Sequence, residues 1–245
     1  MQFKILPGGA MSGEVRVPGD KSISHRSIML GALANGTTRV KGFLEGEDAL
    51  ATLAAFRAMG VEIEGPEHGN VTVQGVGLHG LTAPAEALDL GNAGTGMRLI
   101  CGLLAGQTFD AELTGDASLC SRPMGRVIDP LTMMGASIES AQGGRPPLVI
   151  RGGQKLRSIH YELPMASAQV KSCVLLAGLY SEGCTSVAEP EPSRDHTERM
   201  LRGFGYPVLS AKGVISLQGG GSLKACDIDV PADISSAAFF LVAAS

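Results

Sequence analysis

The stretch that decides the fold reads Met124-Gly125-Arg126-Val127-Ile128-Asp129-Pro130-Leu131-Thr132-Met133-Met134-Gly135. Its apolar residues recur at the spacing of one helix face, and Gly135 stands where a helix is commonly closed by a residue with positive φ. The sequence 136–139, which follows at once, is strand-like. The stretch therefore predicts a surface helix that ends at Gly135 and leads into a strand.

The same arrangement occurs on both sides of this stretch, where surface helices are predicted to end at Gly60 and at Gly205. A more apolar helical pattern that opens with small polar residues precedes each surface helix. These openings lie at residues 24–30, 95–100 and 167–174. Each repeat predicts a buried helix, a strand, a surface helix and two strands. Three repeats predict one α/β (α+β) lobe with the buried helices at its centre.

A fourth opening, residues 233–242, begins the pattern again, and the repeat spacing would put its closing glycine beyond Ser245. The apolar helix that it predicts has no partner within the three repeats, and large exposed apolar faces are normally covered. We therefore expect this chain to be the N-terminal part of a longer protein whose second lobe is largely missing.

Composition limits the classes of function. The 245 residues are 44% hydrophobic and 18% charged, which predicts a folded protein with one large domain or two small ones. The net charge of −4 and the lack of tryptophan argue against nucleic-acid binding, and the longest apolar run, 237–244, is too short to cross a membrane. Five widely spaced cysteines without a C-x-x-C pair, and an N-terminus without a signal peptide, predict reduced thiols and a cytoplasmic protein. No metal and no cofactor are expected.

The helix openings are predicted to bind an anion, because helix N-termini present unpaired N–H groups and partial positive charge. They also carry cations, namely Lys21, His25 and Arg26 at the first opening, Arg98 at the second and Lys171 at the third. Arg122 and Arg194 stand just before two of the surface helices. The pattern indicates one anionic ligand held by several repeats, with capping residues and solvated charges as the alternative.

The motifs at residues 17–26, 91–98, 122–126, 167–169 and 194–198 together resemble the 5-enolpyruvylshikimate-3-phosphate (EPSP) synthases, the enolpyruvyl transferases of the shikimate pathway that leads to chorismate and the aromatic amino acids. Details of the first motif and of residues 165–172 resemble the bacterial class II subgroup. The resemblance implies two lobes, each of three βαβαββ units. It assigns residues 15–227 to the substrate-binding lobe, residues 1–14 to a strand and hinge segment of the other lobe, and residues 228–245 to the hinge and the truncated start of the second lobe.

The resemblance also implies a reaction and its site. Phosphoenolpyruvate would transfer its enolpyruvyl group to the 5-hydroxyl of shikimate 3-phosphate, with Lys21 touching both substrates and stabilising developing charge. Shikimate 3-phosphate would be held by Lys21, Ser22, Arg26, Ser167, Ala168, Gln169 and Arg194. Phosphoenolpyruvate would be held by Asn92, Gly94, Thr95 and Arg122. The general base of the family lies in the second lobe, so the chain alone is expected to be inactive unless that lobe is supplied, for instance as a separate chain.

Glyphosate is a further expected ligand of the family, and glycine at position 94 is the feature that implies sensitivity to it. Two other functions stay open on the sequence. The sister UDP-N-acetylglucosamine enolpyruvyl transferases carry a reactive cysteine about five positions before their Arg-Pro pair, where this chain has Ala117, while Cys120 lies too close to Arg122. A non-catalytic anion-binding module is the other possibility, and a turnover assay distinguishes it.

Overall fold

Three repeats of helices and strands build the computed structural model, which describes residues 12–244. The first repeat comprises α1 (Lys21–Leu33), β1 (Ala34–Lys41), α2 (Glu47–Ala58), β2 (Ile63–Glu67) and β3 (Asn70–Val76). The second comprises β4 (Leu88–Asp89), α3 (Gly94–Leu104), β5 (Ala111–Thr114), α4 (Ala117–Cys120), α5 (Gly125–Met133), β6 (Ser137–Ala141) and β7 (Arg145–Arg151). The third comprises β8 (His160–Glu162), α6 (Ala168–Gly178), β9 (Cys184–Ala188), α7 (His196–Gly203), β10 (Val208–Ala211) and β11 (Val214–Gln218). β12 (Leu223–Lys224), β13 (Ile228–Asp229) and α8 (Ile234–Ala244) follow. The predicted segment 1–14 lies outside the described residues except for residues 12–14.

Each repeat forms its own mixed sheet with the same pattern of strand directions. In the second repeat, β4 lies parallel to β5, and β7 and β6 follow antiparallel. In the third, β8 lies parallel to β9, and β11 and β10 follow antiparallel. The parallel position of the first repeat is filled from the far end of the chain, where β12 and β13 both pair with β1. The predicted three-repeat α/β lobe is confirmed, and residues 223–229 complete its first sheet.

The three inner helices α1, α3 and α6 form the centre of the lobe, as predicted. Their middle turns are fully buried, with Met29, Ile100 and Val174 each 0% exposed. The backbones of α3 and α6 approach closely, since a Cβ on Gly102 would lie only 2.3 Å from the carbonyl oxygen of Cys173. Only a glycine can occupy this crossing without pushing the two helices apart.

All three surface helices end in the same motif, at the glycines that the sequence predicted. Gly60, Gly135 and Gly205 have φ of +86°, +98° and +76°. The N–H of each glycine bonds to the carbonyl three residues back, and the next N–H bonds to the carbonyl five residues back, which is the Schellman pattern. After this motif β6 begins at Ser137, whereas β2 begins at Ile63 and β10 at Val208, each three residues past its glycine.

The segments before α1 and before α8 lie side by side. The amide of Asp20 donates to the carbonyl of Pro231 at 2.8 Å, and the amide of Asp233 donates to the carbonyl of Pro18 at 2.9 Å. Helix α8 confirms the predicted fourth opening, and its side chains Phe239 and Leu241 are 81% and 57% exposed. Within residues 12–244, no helix is long and apolar enough to cross a membrane.

Candidate functional site

The N-terminal turns of the inner helices are joined by side-chain hydrogen bonds. Gln169, in the first turn of α6, donates from Nε2 to Thr95 Oγ1 in the first turn of α3 at 2.8 Å. Arg98 of α3 donates from Nη1 to Gln169 Oε1 at 3.2 Å. Arg26 of α1 donates from Nη2 to Ser172 Oγ of α6 at 2.9 Å. The three openings therefore meet at one place, as an anion site shared between repeats requires.

At the first opening, the side chain of Asp20 caps α1 by accepting from the amide of Ile23 at 2.8 Å. Lys21 follows, with its side chain 49% exposed and its Nζ 3.0 Å from Asp48 Oδ2 of α2. Asp48 holds the ammonium at the mouth of the site without burying it. Ser22 is half-buried beside it. Lys21 and Ser22 thus both lie in the first turn of α1, at the first opening.

Arg26 is buried rather than open to solvent, and only 4% of it is exposed. Besides Ser172, its guanidinium donates to Thr197 Oγ1 at 2.7 Å and to the carbonyl oxygen of Ser22 at 2.8 Å. Burial lowers the pKa of Arg26 to about 10. Arg26 therefore joins the first repeat to the third, and its charge lies beneath the site instead of at its surface.

The cationic roles predicted for His25 and Lys171 are wrong. Burial lowers the pKa of His25 to about 4, so its ring is neutral near pH 7, and Nδ1 is hydrogen-bonded to Thr52 Oγ1 at 2.8 Å. Lys171 is 1% exposed, and its Nζ lies 2.8 Å from Glu189 Oε2 and 2.7 Å from Glu198 Oε1. Counting cations at helix openings does not reveal which of them turn inward.

The second opening brings Gly94 and Arg122 together. A Cβ on Gly94 would lie 3.0 Å from Nη1 of Arg122 and 3.1 Å from Nη1 of Arg98, so both guanidinium groups pack over this glycine. Arg122 donates from Nη2 to Asn92 Oδ1 and to Ser118 Oγ. Burial, followed by the charge of Arg122, lowers the pKa of Arg98. Two neighbouring cations beside a helix N-terminus form a strong anion-binding arrangement.

The third opening begins at Ser167, whose Oγ accepts from the amide of Val170 at 3.4 Å and so caps α6. Ala168 and Gln169 form the first turn, and both are half-buried. Arg194 lies in the exposed segment between β9 and α7. After burial and other charges, its positive charge also acts to lower the pKa values of Arg26 and His196.

Sequence reasoning missed the polar groups that hold these cations. Asp48, Thr197, Ser172, Glu189 and Glu198 all come from other elements than the cation that they contact. One signal was present: Lys171 is the one charged residue of the mostly apolar helix α6, and a lysine at such a position is normally paired with an acid. Within the described residues, no group of three or more His, Cys, Asp or Glu side chains is arranged to hold a metal ion.

Comparison with known proteins gives consistent results. The family model described as EPSP synthase (3-phosphoshikimate 1-carboxyvinyltransferase) matches residues 5–245. The 3-phosphoshikimate 1-carboxyvinyltransferase of Alkalilimnicola ehrlichii is 71% identical over 100% of this chain and 55% of that protein. The corresponding protein of Hydrogenovibrio crunogenus is 66% identical over 100% of this chain and 56% of its own length. A solved structure of EPSP synthase from Acinetobacter baumannii aligns with 97% of this chain over 54% of its own chain, with 64% identity and a TM-score of 0.93. The chain thus spans about half the length of the relatives it matches.

Proposed function

Because this chain belongs to the EPSP synthase (3-phosphoshikimate 1-carboxyvinyltransferase) family, we propose that it carries the shikimate 3-phosphate half of an enolpyruvyl transferase site. The reaction moves the enolpyruvyl group of phosphoenolpyruvate to the 5-hydroxyl of shikimate 3-phosphate and releases phosphate. Residues 15–227 are the substrate-binding lobe, and residues 1–14 and 228–245 belong to the hinge and to a second lobe, with Ile228 and Asp229 still paired to β1 of the substrate-binding lobe as β13. The five unpaired cysteines fit a reducing compartment, so we place the reaction in the cytoplasm.

The observation that carries the proposal is the meeting of three helix N-termini beside exposed or half-exposed cations. Both substrates are multiply anionic, and helix N-termini with nearby cations favour such ligands. Shikimate 3-phosphate is held by Lys21, Ser22, Ser167, Ala168, Gln169 and Arg194, with Arg194 on the 3-phosphate and Arg26 adding its charge from beneath. Phosphoenolpyruvate is held by Asn92, Gly94, Thr95 and Arg122, next to the link between Gln169 and Thr95.

The chemistry needs positive charge and a proton source at the reacting atoms. Enolpyruvyl transfer protonates the double bond of phosphoenolpyruvate and passes through a tetrahedral intermediate, whose formation is aided by fixed positive charge. Lys21 supplies this charge at the mouth of the site, oriented by Asp48 at 3.0 Å. The general base is assigned to the second lobe, which closes the site around both substrates.

The sister UDP-N-acetylglucosamine enolpyruvyl transferase is not favoured. The matching family is the EPSP synthases. Ala117 starts α4 at the position of the expected reactive cysteine. Cys120 lies at the end of that helix, with Sγ hydrogen-bonded to the carbonyl oxygen of Gly115 at 3.3 Å.

The role of Arg194 is tested by binding. Arg194→Ala is expected to weaken the binding of shikimate 3-phosphate to this chain by about 1.5–3 kcal/mol, the range for a hydrogen bond to a charged group. Titration calorimetry measures the change. Arg199→Ala is the matched control, because Arg199 is an exposed arginine of α7 and its replacement removes the same charge. If both variants lose the same affinity, the effect of Arg194→Ala is explained by the loss of one positive charge and not by a direct contact. If neither variant loses affinity, Arg194 does not belong to the site.

The packing over Gly94 leads to a second expectation. Glyphosate is proposed to bind beside Arg122 in place of phosphoenolpyruvate, and a full-length enzyme containing this chain is expected to be sensitive to it. In Gly94→Ala, the new methyl forces the guanidinium groups of Arg122 and Arg98 to move by a few tenths of an ångström. The inhibition constant of glyphosate is expected to rise more than the KM for phosphoenolpyruvate, as steady-state kinetics would show. Proportional changes in the two constants would contradict this expectation.

A further inference from the structure

A buried ion triad lies directly behind the segment that carries Arg194. Lys171 Nζ contacts carboxylate oxygens of both Glu189 and Glu198, and the three side chains are 1%, 6% and 3% exposed. No role in substrate contact has been assigned to any of the three. Desolvating two carboxylates and an ammonium is expensive, so stability alone is a weak reason for a buried ion cluster. Arg26, whose pKa the charge of Glu198 acts to raise, adds a second positive charge beside it.

The chain positions of the two acids show what the triad connects. Glu189 is the first residue after β9, and Glu198 lies in the first turn of α7. The residues between β9 and α7 form the loop 189–195, on which Arg194 is exposed. One ammonium on the inner helix α6 therefore holds both ends of the loop. The loop is also closed on itself, because Ser193 Oγ donates to Glu189 Oε1.

The end of the loop at α7 is attached by a second set of contacts, in addition to the triad. Thr197, at the start of α7, accepts from Arg26 Nε at 2.7 Å and donates to Ser172 Oγ at 2.7 Å. The charge of Glu198 acts to raise the pKa of Arg26, so these two groups are neighbours as well. The other end of the loop, at Glu189, has fewer contacts. Besides the contacts of its side chain with Lys171 and Ser193, the amide of Glu189 donates to the carbonyl oxygen of Gly213 at 2.9 Å.

We infer that Lys171 and Glu189 are positioning residues, which clamp the loop 189–195 so that Arg194 is held towards the anion bound at the inner-helix openings. This inference rests on the proposed function, because it needs Arg194 to contact shikimate 3-phosphate. A long arginine side chain on a free loop would lose rotamer and backbone freedom on binding, and a loop that is already fixed avoids that loss.

Glu189→Ala is the decisive variant. It keeps the contact between Lys171 and Glu198, and with it the attachment of α7, while the end of the loop at Glu189 is released. Shikimate 3-phosphate is expected to bind about 10-fold more weakly, the scale of loss for a binding group that is no longer held in place. Glu189→Gln is expected to restore affinity to within about 2-fold, since its amide oxygen still accepts from Lys171 and its NH2 group can donate to the hydroxyl of Ser193.

Three controls distinguish positioning of Arg194 by the clamp from a purely structural role of Glu189. In an Arg194→Ala background, Glu189→Ala is expected to cause no further loss of affinity, because the clamp acts through Arg194. Thr185→Val removes a buried hydroxyl from β9, where Thr185 Oγ1 lies 3.0 Å from Ser181 Oγ, and is expected to lower stability without changing affinity. Ser193→Ala removes the hydrogen bond to Glu189 but none of the buried charges, and is expected to weaken binding by about 3-fold only when Arg194 is present.

Titration calorimetry with shikimate 3-phosphate, together with urea unfolding of each variant, gives the readout. Equal losses from Glu189→Ala with and without Arg194 would overturn the inference, as would unchanged affinity in Glu189→Ala. If Glu189→Ala does not fold, unchanged affinity in Ser193→Ala overturns it instead. Unchanged affinity in Arg194→Ala alone would overturn both this inference and the site assignment on which it rests, whereas the other three results leave that assignment in place.

Discussion

Phosphoenolpyruvate and shikimate 3-phosphate, mixed with the purified 245-residue chain, are expected to release no detectable phosphate. The chain spans only 55% of the A. ehrlichii relative, and the proposed general base lies in the remaining part. Without a second lobe, the site stays open to water, which screens each contact between a cation and a substrate. Loss of substrate orientation alone is expected to slow the reaction on the order of 10⁵-fold or more.

A phosphate-release assay with three samples decides this prediction. The full-length relative from A. ehrlichii is the positive control, and this chain alone is the test. The third sample adds the unmatched part of that relative as a separate polypeptide, which is expected to restore activity. Turnover by this chain alone at enzyme-like rates would show that the catalytic groups are already within it. Binding of substrates without restored turnover would support the non-catalytic anion-binding module.

Gly102→Ala is expected to destabilise the lobe by about 3 kcal/mol, at the upper end of the range for overpacked cores. The new methyl would lie 2.3 Å from the carbonyl oxygen of Cys173, and a backbone atom in the middle of α6 cannot turn aside as a side chain does. The helices α3 and α6 would have to separate, which would also disturb the hydrogen bond between Gln169 and Thr95.

Urea unfolding followed by far-UV circular dichroism measures this change, because the chain contains no tryptophan for fluorescence. Gly203→Ala is the matched control. Gly203 is the last residue of α7, and a Cβ there would meet open space, so alanine is expected to stabilise the helix by up to about 1 kcal/mol. Similar stability of the two variants would mean that α3 and α6 are not packed as closely as described.

Local patterns in the sequence were sufficient to predict the inner and surface helices, though not the four-residue helix α4, because the causes of those helices are local. The closing glycines at positions 60, 135 and 205 and the apolar inner helices depend on residues a few positions apart. The completion of the first sheet by β12 and β13 was not predictable in this way. Each of these strands is two residues long, and their pairing with β1 joins distant parts of the chain.

The site was predictable in its residue types but not in the direction of its side chains. Lys21 and Arg26 both lie in α1, yet Lys21 is half-exposed and Arg26 is buried against the third repeat. The difference depends on Ser172 and Thr197, whose positions relative to α1 are set only by tertiary packing. Likewise, Lys171 is neutralised by acids that follow it in sequence but lie in two different elements.

The strand that completes the first sheet also determines the order in which the protein can fold. Ala34 pairs with Leu223, so the parallel edge of the first sheet is available only after nearly the whole lobe has left the ribosome. Closing so long a loop carries a large entropy cost before any contact compensates for it, and proteins rich in such pairings fold slowly. The first repeat is synthesised first, but its sheet is completed last. Until residues 223–229 arrive, the edge of β1 is an unpaired strand, and a nascent chain is exposed to wrong partners at that edge.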